Sequence, residues 1–295
     1  MKILLLGKNG QVGWELQRAL APLGTLIALD RHSTTYCGDL SNAEGIAATI
    51  LAIKPDVIVN AAAHTAVDKA ESEPEVAAVL NTSSVAAMAA AAEKVGALLV
   101  HYSTDYVFNG QGEQPWTEAD VTEPLSVYGK TKRDGEEAIA AACSNYLIFR
   151  TSWVYAAKGN NFAKTMLKLA KDREELSVIN DQFGAPTGAD LIADCTAHAI
   201  RKAKGQPQLS GIYHLIASGT TTWHDYASFV ITTGREKGLE LKVNKINPVA
   251  TSAFPTPAKR PANSRLDTAK FQQSFDLTLP DWHDGVERML TEIIG

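Results

Sequence analysis

The feature that most constrains the fold is a glycine-rich turn between the first apolar run and the first helix-like segment. Gly7, Gly10 and Gly13 stand three residues apart, after Lys2–Leu6 and at the start of Val12–Ala21. In such a turn the first glycine permits a tight bend, the second lets the backbone approach a pyrophosphate, and the third lets the helix pack close to the strand. A helix N-terminus also attracts anions. The turn therefore predicts a dinucleotide site with contacts from Gly7, Gly10, Gln11, Val12 and Gly13.

Short apolar runs alternate with helix-length segments through the first half of the chain. The strand-like runs are Lys2–Leu6, Thr25–Leu29, Asp56–Asn60, Ala97–Tyr102 and Tyr146–Arg150. The helix-like segments are Val12–Ala21, Ala43–Ile53, Pro74–Val95 and Tyr128–Ala142. Strands that are apolar throughout and separated by helices indicate a parallel sheet covered on both faces. The fold class predicted is α/β, with a doubly wound (Rossmann) sheet.

The regular alternation fades beyond residue 155. Further helix-like segments lie at Ala189–Lys202, Trp223–Arg235 and Trp282–Ile294, between loops rich in glycine, proline and threonine. A chain of 295 residues is long enough for a second, smaller domain. We expect 1–155, with a return at roughly 189–217, to form the dinucleotide-binding domain. Residues 156–188 and 218–295 are expected to form a smaller, interleaved substrate-binding domain.

Composition narrows the class of protein. The net charge of −5 argues against a nucleic-acid partner, because phosphate binding normally appears as a basic surplus. Three widely spaced cysteines without a CxxC pair favour a reducing compartment and argue against a structural metal site. No run of about eighteen apolar residues predicts a membrane span. The chain is expected to be cytoplasmic, with no membrane and no nucleic acid as partners.

Polar residues at the ends of the next strands extend the predicted dinucleotide site. Asp30 closes the second strand, where a carboxylate typically accepts the ribose hydroxyl of NADH, whereas Arg31 could accommodate the extra phosphate of NADPH. Solvated turn charges are the alternative for both. Asp39 and Leu40 could meet the adenine; a helix cap by Asp39 or Ser41 is the alternative.

The loop after the third strand-like run carries small residues that would let the chain pass close to a cofactor. Ala63, His64 and Thr65 are candidate contacts there, although a loop histidine is commonly only solvated. A catalytic role for His64 is not expected.

The candidate catalytic residues are Thr104, Tyr128 and Lys132. Tyr128 and Lys132 lie four residues apart, on one face of a helix. A neighbouring ammonium favours ionisation of a phenol, and Lys132 can also donate to the nicotinamide ribose. Thr104 follows the strand-like run Ala97–Tyr102, at the edge where open sheets bind ligands. A threonine, tyrosine and lysine in this order after a glycine loop are far more specific together than any one of them.

Longer stretches of the chain resemble one family within the extended short-chain dehydrogenase/reductase superfamily. The sequence is similar to the dTDP-4-dehydrorhamnose reductase family, whose members catalyse the last step of dTDP-L-rhamnose synthesis. The matching stretches are Asn60–Glu71, Ser103–Gly110, Pro124–Lys132, Arg150–Tyr155, Gln182–Thr187 and Arg260–Ser264.

The resemblance implies an NAD(P)H-dependent oxidoreductase that acts on a dTDP-sugar. It implies that Tyr128 is the proton donor, Lys132 its partner and Thr104 a tuner of the reaction. It matches Thr104, Asp105 and Trp153 to substrate contacts. The matched cofactor contacts are Gly10, Gln11, Val12, Asp30, Asp39, Leu40, Ala63, His64, Thr65, Tyr102, Tyr128 and Lys132.

Several alternatives remain at this point. Related sugar-nucleotide dehydratases carry an acidic pair after the catalytic threonine, whereas Tyr106 follows Asp105 here, which favours simple reduction. Another keto-sugar-nucleotide reductase, delivering hydride to the opposite face of the sugar, is a second enzymatic hypothesis. A non-catalytic regulatory subunit, like that of methionine adenosyltransferase, is disfavoured because Thr104, Tyr128 and Lys132 are all present.

The resemblance also suggests a homodimer and, more weakly, a magnesium ion. Glu15 and Glu292 could belong to a carboxylate site between subunits. Solvated helix charges are the simpler explanation of both acids.

Overall fold

The computed structural model describes residues 1–295 and contains twelve strands and eleven α-helices. The strands are β1 (Lys2–Leu6), β2 (Thr25–Leu29), β3 (Val57–Asn60), β4 (Leu98–Thr104), β5 (Tyr146–Thr151), β6 (Val154–Tyr155), β7 (Glu175–Ile179), β8 (Phe183–Gly184), β9 (Thr187–Gly188), β10 (Gly211–His214), β11 (Thr221–Thr222) and β12 (Lys245–Val249). The helices are α1 (Gln11–Leu20), α2 (Ala43–Ile53), α3 (Val67–Ser72), α4 (Pro74–Ala78), α5 (Ser84–Val95), α6 (Val127–Ala142), α7 (Phe162–Asp172), α8 (Ala189–Ala203), α9 (Trp223–Glu236), α10 (Ala269–Phe275) and α11 (Trp282–Ile294).

The centre of the molecule is a six-stranded, wholly parallel sheet in the order β10-β5-β4-β3-β1-β2. The strand order reverses between β1 and β3, and such a switch point opens a crevice at the carboxyl ends of the strands. The glycine turn follows β1 and the loop from Ala61 follows β3, so both lie at this crevice. The predicted doubly wound α/β fold is confirmed.

Both faces of the sheet are covered, which explains why its strands are apolar throughout. One buried cluster joins the sheet to α1, α8 and α10 through residues such as Leu16, Ile200 and Phe271. The opposite cluster joins it to α2, α5 and α6 through residues such as Ile50 and Met88. Several alanines of α5, among them Ala89 and Ala92, belong to this buried cluster.

A third buried cluster lies outside the sheet, within the later part of the chain. It joins α7, α9 and α11 to β7 around Tyr226, Val230, Trp282 and Val286. Neither α7 nor β7 and β12 is predicted from the sequence. The helical spacing of Met166, Leu167 and Ala170 was a usable signal for α7, whereas β7 and β12 pair with each other across a long stretch of chain. The predicted division into two domains remains a prediction.

The helical stretch Pro74–Val95 differs from its predicted form. It is interrupted by one π-helical turn at Val79–Ser83, where Asn81 turns inward and its side chain bonds the backbone of His64. By length and composition alone this stretch could cross a membrane, contrary to the expectation that no segment does. Its buried face packs on the sheet through Val85, Met88 and Ala89, as in the core helix of a folded domain.

Candidate active site

A cleft of about 1030 Å³ opens at the carboxyl edge of the sheet. It brings together residues from the ends of β1, β2, β3, β4 and β5 and from the start of α6. The predicted site residues that line it are Gly7, Gly10, Gln11, Val12, Asp30, Arg31, Asp39, Leu40, Ala63, Thr65, Tyr102, Thr104, Asp105, Tyr128, Lys132 and Trp153. Gly13 and His64 do not line it.

The glycine turn has the geometry that a pyrophosphate needs. Gly7 has φ +84°, and a side chain there would come within 2.7 Å of the backbone nitrogen of Ala62. A Cβ on Gly13 would lie 2.0 Å from the Gly7 carbonyl oxygen, so Gly13 sets the approach of α1 to β1 and does not contact the cleft. Gly10 caps α1 without any side-chain hydrogen bond, which leaves the N-terminus of the helix open to an anion.

Asp30 stands at the end of the cleft where the adenosine ribose would lie. Its carboxylate accepts hydrogen bonds from the His32 backbone at 2.9 Å and from the Asn9 amide at 2.6 Å. The His32 bond, with Lys8 at 3.7 Å, holds the pKa of Asp30 below its usual range. Arg31 is exposed beside it, so the same corner offers an acceptor for a ribose hydroxyl and cations for a phosphate.

The loop before α2 contains Asp39 and Ser41, for which the sequence left a helix-capping role open. Asp39 accepts a hydrogen bond from the Ser41 backbone at 2.9 Å, and Asn42 caps α2 by accepting from Gly45 at 2.8 Å. Neither Asp39 nor Ser41 is therefore the helix cap. Leu40 is buried but reaches the cleft wall, where an apolar face suits a base.

His64 lies behind the cleft wall. Its backbone N–H and C=O both bond the side chain of Asn81, at 2.8 and 3.1 Å, while its ring nitrogen Nδ1 is buried without a partner. His64 itself does not line the cleft, whereas Ala63 and Thr65 beside it do.

A close approach of α6 to the loop after β4 brings the three candidate catalytic residues together. Ser126 caps α6 by accepting a hydrogen bond from Gly129, and Tyr128 lies in the first turn. A Cβ on Gly129 would lie 2.2 Å from the carbonyl oxygen of Tyr106, so only glycine permits this contact. The approach brings the phenol of Tyr128 near the Thr104 hydroxyl, close enough for that hydroxyl to lower the pKa of the phenol.

The phenol of Tyr128 is protonated at neutral pH in this structure. Burial raises its pKa to about 12, and the neighbouring Asp105 carboxylate acts in the same direction. The Thr104 contact lowers the pKa but does not overcome burial. The expected lowering of this pKa by Lys132 is not found; the Nζ of Lys132 bonds the carbonyl oxygen of Tyr102 and lies beside His101. A protonated phenol is nonetheless the form that can donate a proton.

Lys132 is almost fully buried, with 2% of its surface exposed. Its Nζ donates to the carbonyl oxygen of Tyr102 at 2.6 Å and lies 3.0 Å from Nε2 of His101. Burial lowers its pKa to about 8, although Glu136 raises it. The lysine lies at the cleft wall, within reach of a ligand there.

Asp105 is a buried carboxyl group beside Thr104. Thr104 Oγ1 lies 3.1 Å from Asp105 Oδ1, and the Ser264 hydroxyl donates to the other carboxylate oxygen. Burial raises the pKa of Asp105 to about 6, against the effect of these two bonds. Because Thr104 has a single hydroxyl proton, Asp105 and Tyr128 compete for it.

An aromatic platform forms the far wall of the cleft. Trp153 stacks on Trp223 with ring centroids 3.6 Å apart, and both line the cleft. Gly184 leaves room for the indole, since a Cβ there would lie 2.8 Å from the ring of Trp153. Trp223 was not predicted to take part, because it lies seventy residues after Trp153, in a different element.

Three buried hydroxyls in the cleft have no hydrogen-bond partner: Ser103, Thr151 and Ser152. They are not among the residues predicted from the sequence. Their position at the carboxyl ends of β4 and β5 was a usable signal, because polar residues at that edge of an open sheet commonly contact ligands. They add donors and acceptors to the predicted set.

A smaller pocket of about 260 Å³ lies away from the cleft and includes Glu15, Glu292 and Asp190. Arginines neutralise two of these acids: Arg288 lies 2.8 Å from Asp190 and Arg18 lies 3.5 Å from Glu15. No group of three or more metal-ligating side chains occurs in the chain.

The sequence and fold match known proteins over nearly the whole chain. The family model described as "RmlD substrate binding domain" matches residues 1–294. The dTDP-4-dehydrorhamnose reductase of Escherichia coli K12 is 68% identical over 99% of this chain and 98% of its own. The chain belongs to the dTDP-4-dehydrorhamnose reductase family. The predicted family and the predicted class of oxidoreductase are confirmed.

Solved structures of family members have the same fold. The dTDP-4-dehydrorhamnose reductase of Clostridium acetobutylicum is 36% identical, with a TM-score of 0.90 over 99% of each chain. The enzyme of Bacillus anthracis, solved in complex with NADP, is 34% identical, with a TM-score of 0.88 over 99% of this chain and 100% of its own. The predicted NAD(P)H-binding fold is thus shared with a relative that holds this nucleotide.

Proposed function

We propose that the chain reduces the 4-keto group of dTDP-4-dehydro-L-rhamnose to give dTDP-L-rhamnose, the last step of dTDP-rhamnose biosynthesis. The observation that carries the proposal is the meeting of Thr104, Tyr128 and Lys132 in a cleft that also contains an open helix N-terminus. The identity of the substrate is inferred from the family to which the chain belongs. NAD(P)H, when bound, supplies the hydride for the carbonyl carbon.

Tyr128 donates the proton that the reduction requires. Its phenol is protonated at neutral pH and stands at the cleft wall, where the oxygen of the reduced carbonyl would lie. After the proton transfer, the Thr104 hydroxyl can donate a hydrogen bond to the phenolate of Tyr128. To do so, it must first give up its hydrogen bond to Asp105. Lys132 binds the ribose next to the nicotinamide, because its buried Nζ reaches the cleft between Tyr102 and Tyr128.

The remaining predicted residues bind and orient the two ligands. The α1 N-terminus with Gln11 and Val12 holds the pyrophosphate, and Asp30 with Arg31 holds the adenosine ribose. NADH and NADPH both fit this corner, because it contains a carboxylate and two cations. Residues that could contact the base and the rest of the nucleotide are Asp39, Leu40, Ala63, Thr65 and Tyr102.

The sugar binds between Asp105 and the aromatic platform of Trp153 and Trp223. An indole face suits the apolar side of a deoxysugar and its methyl group. The free hydroxyls of Ser103, Thr151 and Ser152 are available for the sugar or for the carboxamide of the nicotinamide. Each hydroxyl has lost its contact with water, so a ligand that bonds it restores a hydrogen bond.

The decisive experiment follows oxidation of NADPH and of NADH by the purified protein, with enzymatically prepared dTDP-4-dehydrorhamnose as substrate. The product, identified by NMR, should be dTDP-L-rhamnose. A product of opposite configuration at C4 would replace the proposal by the other keto-sugar reductase hypothesis. Cofactor binding without any turnover by the folded protein would contradict an enzymatic role.

We also propose that the enzyme acts in the cytoplasm as a homodimer. Three free cysteines suit a reducing compartment. The pocket beside Glu15, Glu292 and the half-exposed Trp14 is a candidate for the contact between two copies, and acids from both copies could then share one magnesium ion. Light scattering with EDTA and then with Mg²⁺ tests this: a monomer in both conditions would contradict the dimer, and a metal-independent dimer would exclude the ion.

A further inference from the structure

His101 is a buried histidine that none of the roles proposed above uses. It lies on β4, three residues before Thr104, with 1% of its surface exposed. Its Nε2 lies 3.0 Å from Nζ of Lys132, and its Nδ1 lies 3.1 Å from the side-chain nitrogen of Asn60 on β3. The side chains of Asn60, His101 and Lys132 therefore contact one another in sequence, and Lys132 lines the cleft.

The amide of Asn60 has a fixed orientation. Its Oδ1 accepts a hydrogen bond from the backbone N–H of Ala62 at 3.1 Å. If the amide were turned over, its NH₂ group would face that N–H, and two donors would oppose each other. The NH₂ group of Asn60 therefore faces His101, whose Nδ1 must accept. A neutral ring that accepts at Nδ1 carries its proton on Nε2.

This tautomer determines what Lys132 can do. The Nε2–H of His101 points at Nζ, and an ammonium has three donors but no acceptor. Only the neutral amine has a lone pair for this bond, while one of its own N–H groups donates to the carbonyl of Tyr102. Burial acts in the same direction, because it lowers the pKa of Lys132 to about 8 and that of His101 well below its ordinary value.

We propose that His101 is a positioning residue for Lys132: held by Asn60 as the Nε2–H tautomer, it donates to the uncharged amine and sets the pH above which Lys132 has no charge. This inference rests on the proposed function in one respect, the assignment of Lys132 to the bound nucleotide. Proton uptake by Lys132 then breaks the His101 bond and frees the ammonium to turn toward the cleft.

The titratable groups that surround Lys132 and His101 still leave the neutral amine as the partner of His101. Glu136, one turn after Lys132 on α6, favours the ammonium, but its carboxylate is paired with Arg150 on β5 at 2.7 Å. Tyr128 on α6 is a neutral phenol at neutral pH. The phenol of Tyr102 lies on the other side of the sheet, 2.8 Å from the Thr196 hydroxyl.

The tautomer can be measured directly, without substrate or cofactor. Nitrogen-15 NMR of the imidazole rings, recorded above pH 8, should show His101 protonated at Nε2 and unprotonated at Nδ1. His214 is the internal control, because its Nδ1 lies 3.1 Å from the Asp267 carbonyl oxygen and must carry the proton. Signals are assigned from His101→Gln and His214→Gln. A His101 ring in the same tautomer as His214 would overturn the proposal.

The pH profile tests the link to Lys132. In His101→Phe the donor that favours the neutral amine is absent, so the alkaline limb of kcat/KM should move upward by about half to one pH unit. A His101 that merely accepted from an ammonium would give a downward shift, and a purely structural residue would give none; either result overturns the proposal.

Two controls separate the possible failures. His198→Phe, on the exposed face of α8, should keep the wild-type profile. If His101→Phe does not fold, the wild-type NMR measurement decides alone. If the protein shows no reductase activity, the tautomer still tests His101, because that measurement needs no turnover.

Discussion

The backbone of Trp153, beside the proposed site, is held in an energetically unfavourable conformation. It is one of three non-glycine residues with positive φ, at +48°. This left-handed conformation costs about 1–2 kcal/mol for a residue with a side chain. The stack on Trp223 and the space above Gly184 offset that cost and hold the indole in the cleft wall. The strain thus places an apolar surface where a deoxysugar would bind.

Tyr128→Phe tests the proton donor. The ring and its edge-to-face contact with Tyr106 are kept, while the hydroxyl that is proposed to donate the proton is removed. Turnover should fall by about 10²–10⁴-fold, with NADPH affinity close to wild type. Steady-state kinetics and fluorescence titration measure the two quantities. Tyr146→Phe, outside the cleft, is the matched control. Near-normal turnover by Tyr128→Phe would remove this residue from its role.

Asp105→Asn tests the buried carboxyl group through stability. The folded-state pKa of about 6 lies above the ordinary value of 3.8, so the folded state holds this proton more tightly than the unfolded state. Ionisation therefore costs stability as pH rises from about 4 to 6, by roughly 3 kcal/mol in total above that range.

The amide cannot ionise, so the variant should gain stability relative to wild type between pH 4 and 6, and the gain should be constant at higher pH. Urea unfolding at several pH values measures the difference. A difference that does not change with pH would contradict the raised pKa of Asp105. Asp267→Asn, whose carboxylate bonds the exposed Ala269 backbone, is a control outside the cleft.

At the scale of elements, two close approaches of backbone build the site. Gly13 brings α1 against β1, and Gly129 brings α6 against the loop after β4. Each requires a residue without Cβ, because the nearest atom is a backbone carbonyl that cannot move independently. The first approach presents the helix N-terminus to the cleft, and the second places Tyr128 beside Thr104.

Two glycine variants separate folding from binding in the α1 turn. Gly13→Ala places a Cβ 2.0 Å from the Gly7 carbonyl and should lower both thermal stability and NADPH affinity. Gly10→Ala places its Cβ no closer than 3.5 Å to any atom and should leave stability near wild type, while obstructing the pyrophosphate. Calorimetry gives both quantities. Equal losses of stability in the two variants would refute this distinction.

At the scale of the whole molecule, the sheet depends on residues that come late in the chain. Strand β10 pairs with β5, and α8 and α10 cover one face of the sheet, so Leu147 and Phe149 are buried partly by residues after 189. The proposed domain division is thus interleaved in sequence, and neither part is continuous.

A fragment of residues 1–155 tests this interleaving. Without β10, α8 and α10 it would expose the edge of β5 and one apolar face, so we expect it to aggregate or to lack a cooperative unfolding transition. Circular dichroism and size-exclusion chromatography compare it with a fragment of 1–217, which restores β10 and α8 and should be more soluble. A cooperatively folded 1–155 fragment would contradict the argument.

Much of the fold and of the candidate site followed from local pattern. The bounds of β1, β2, α2 and α11 are those expected from the sequence, because apolar periodicity and turn residues act over a few neighbouring positions. Strands β6 to β9 were not predicted, since short segments depend on packing partners far away in the chain. Helix α7 was not predicted either, although its apolar residues follow helical spacing.

The sequence by itself determined the order of the chemistry: a glycine turn, then Thr104, then Tyr128 and Lys132, on a fold that places strand ends together. Only the tertiary structure decided which groups meet. Gly13 and His64 lie outside the cleft, whereas Trp223 and three unpaired hydroxyls line it although they were not predicted. Lys132 is buried beside His101. Burial and proximity depend on packing between distant segments, and both determine whether a phenol or an amine carries a proton.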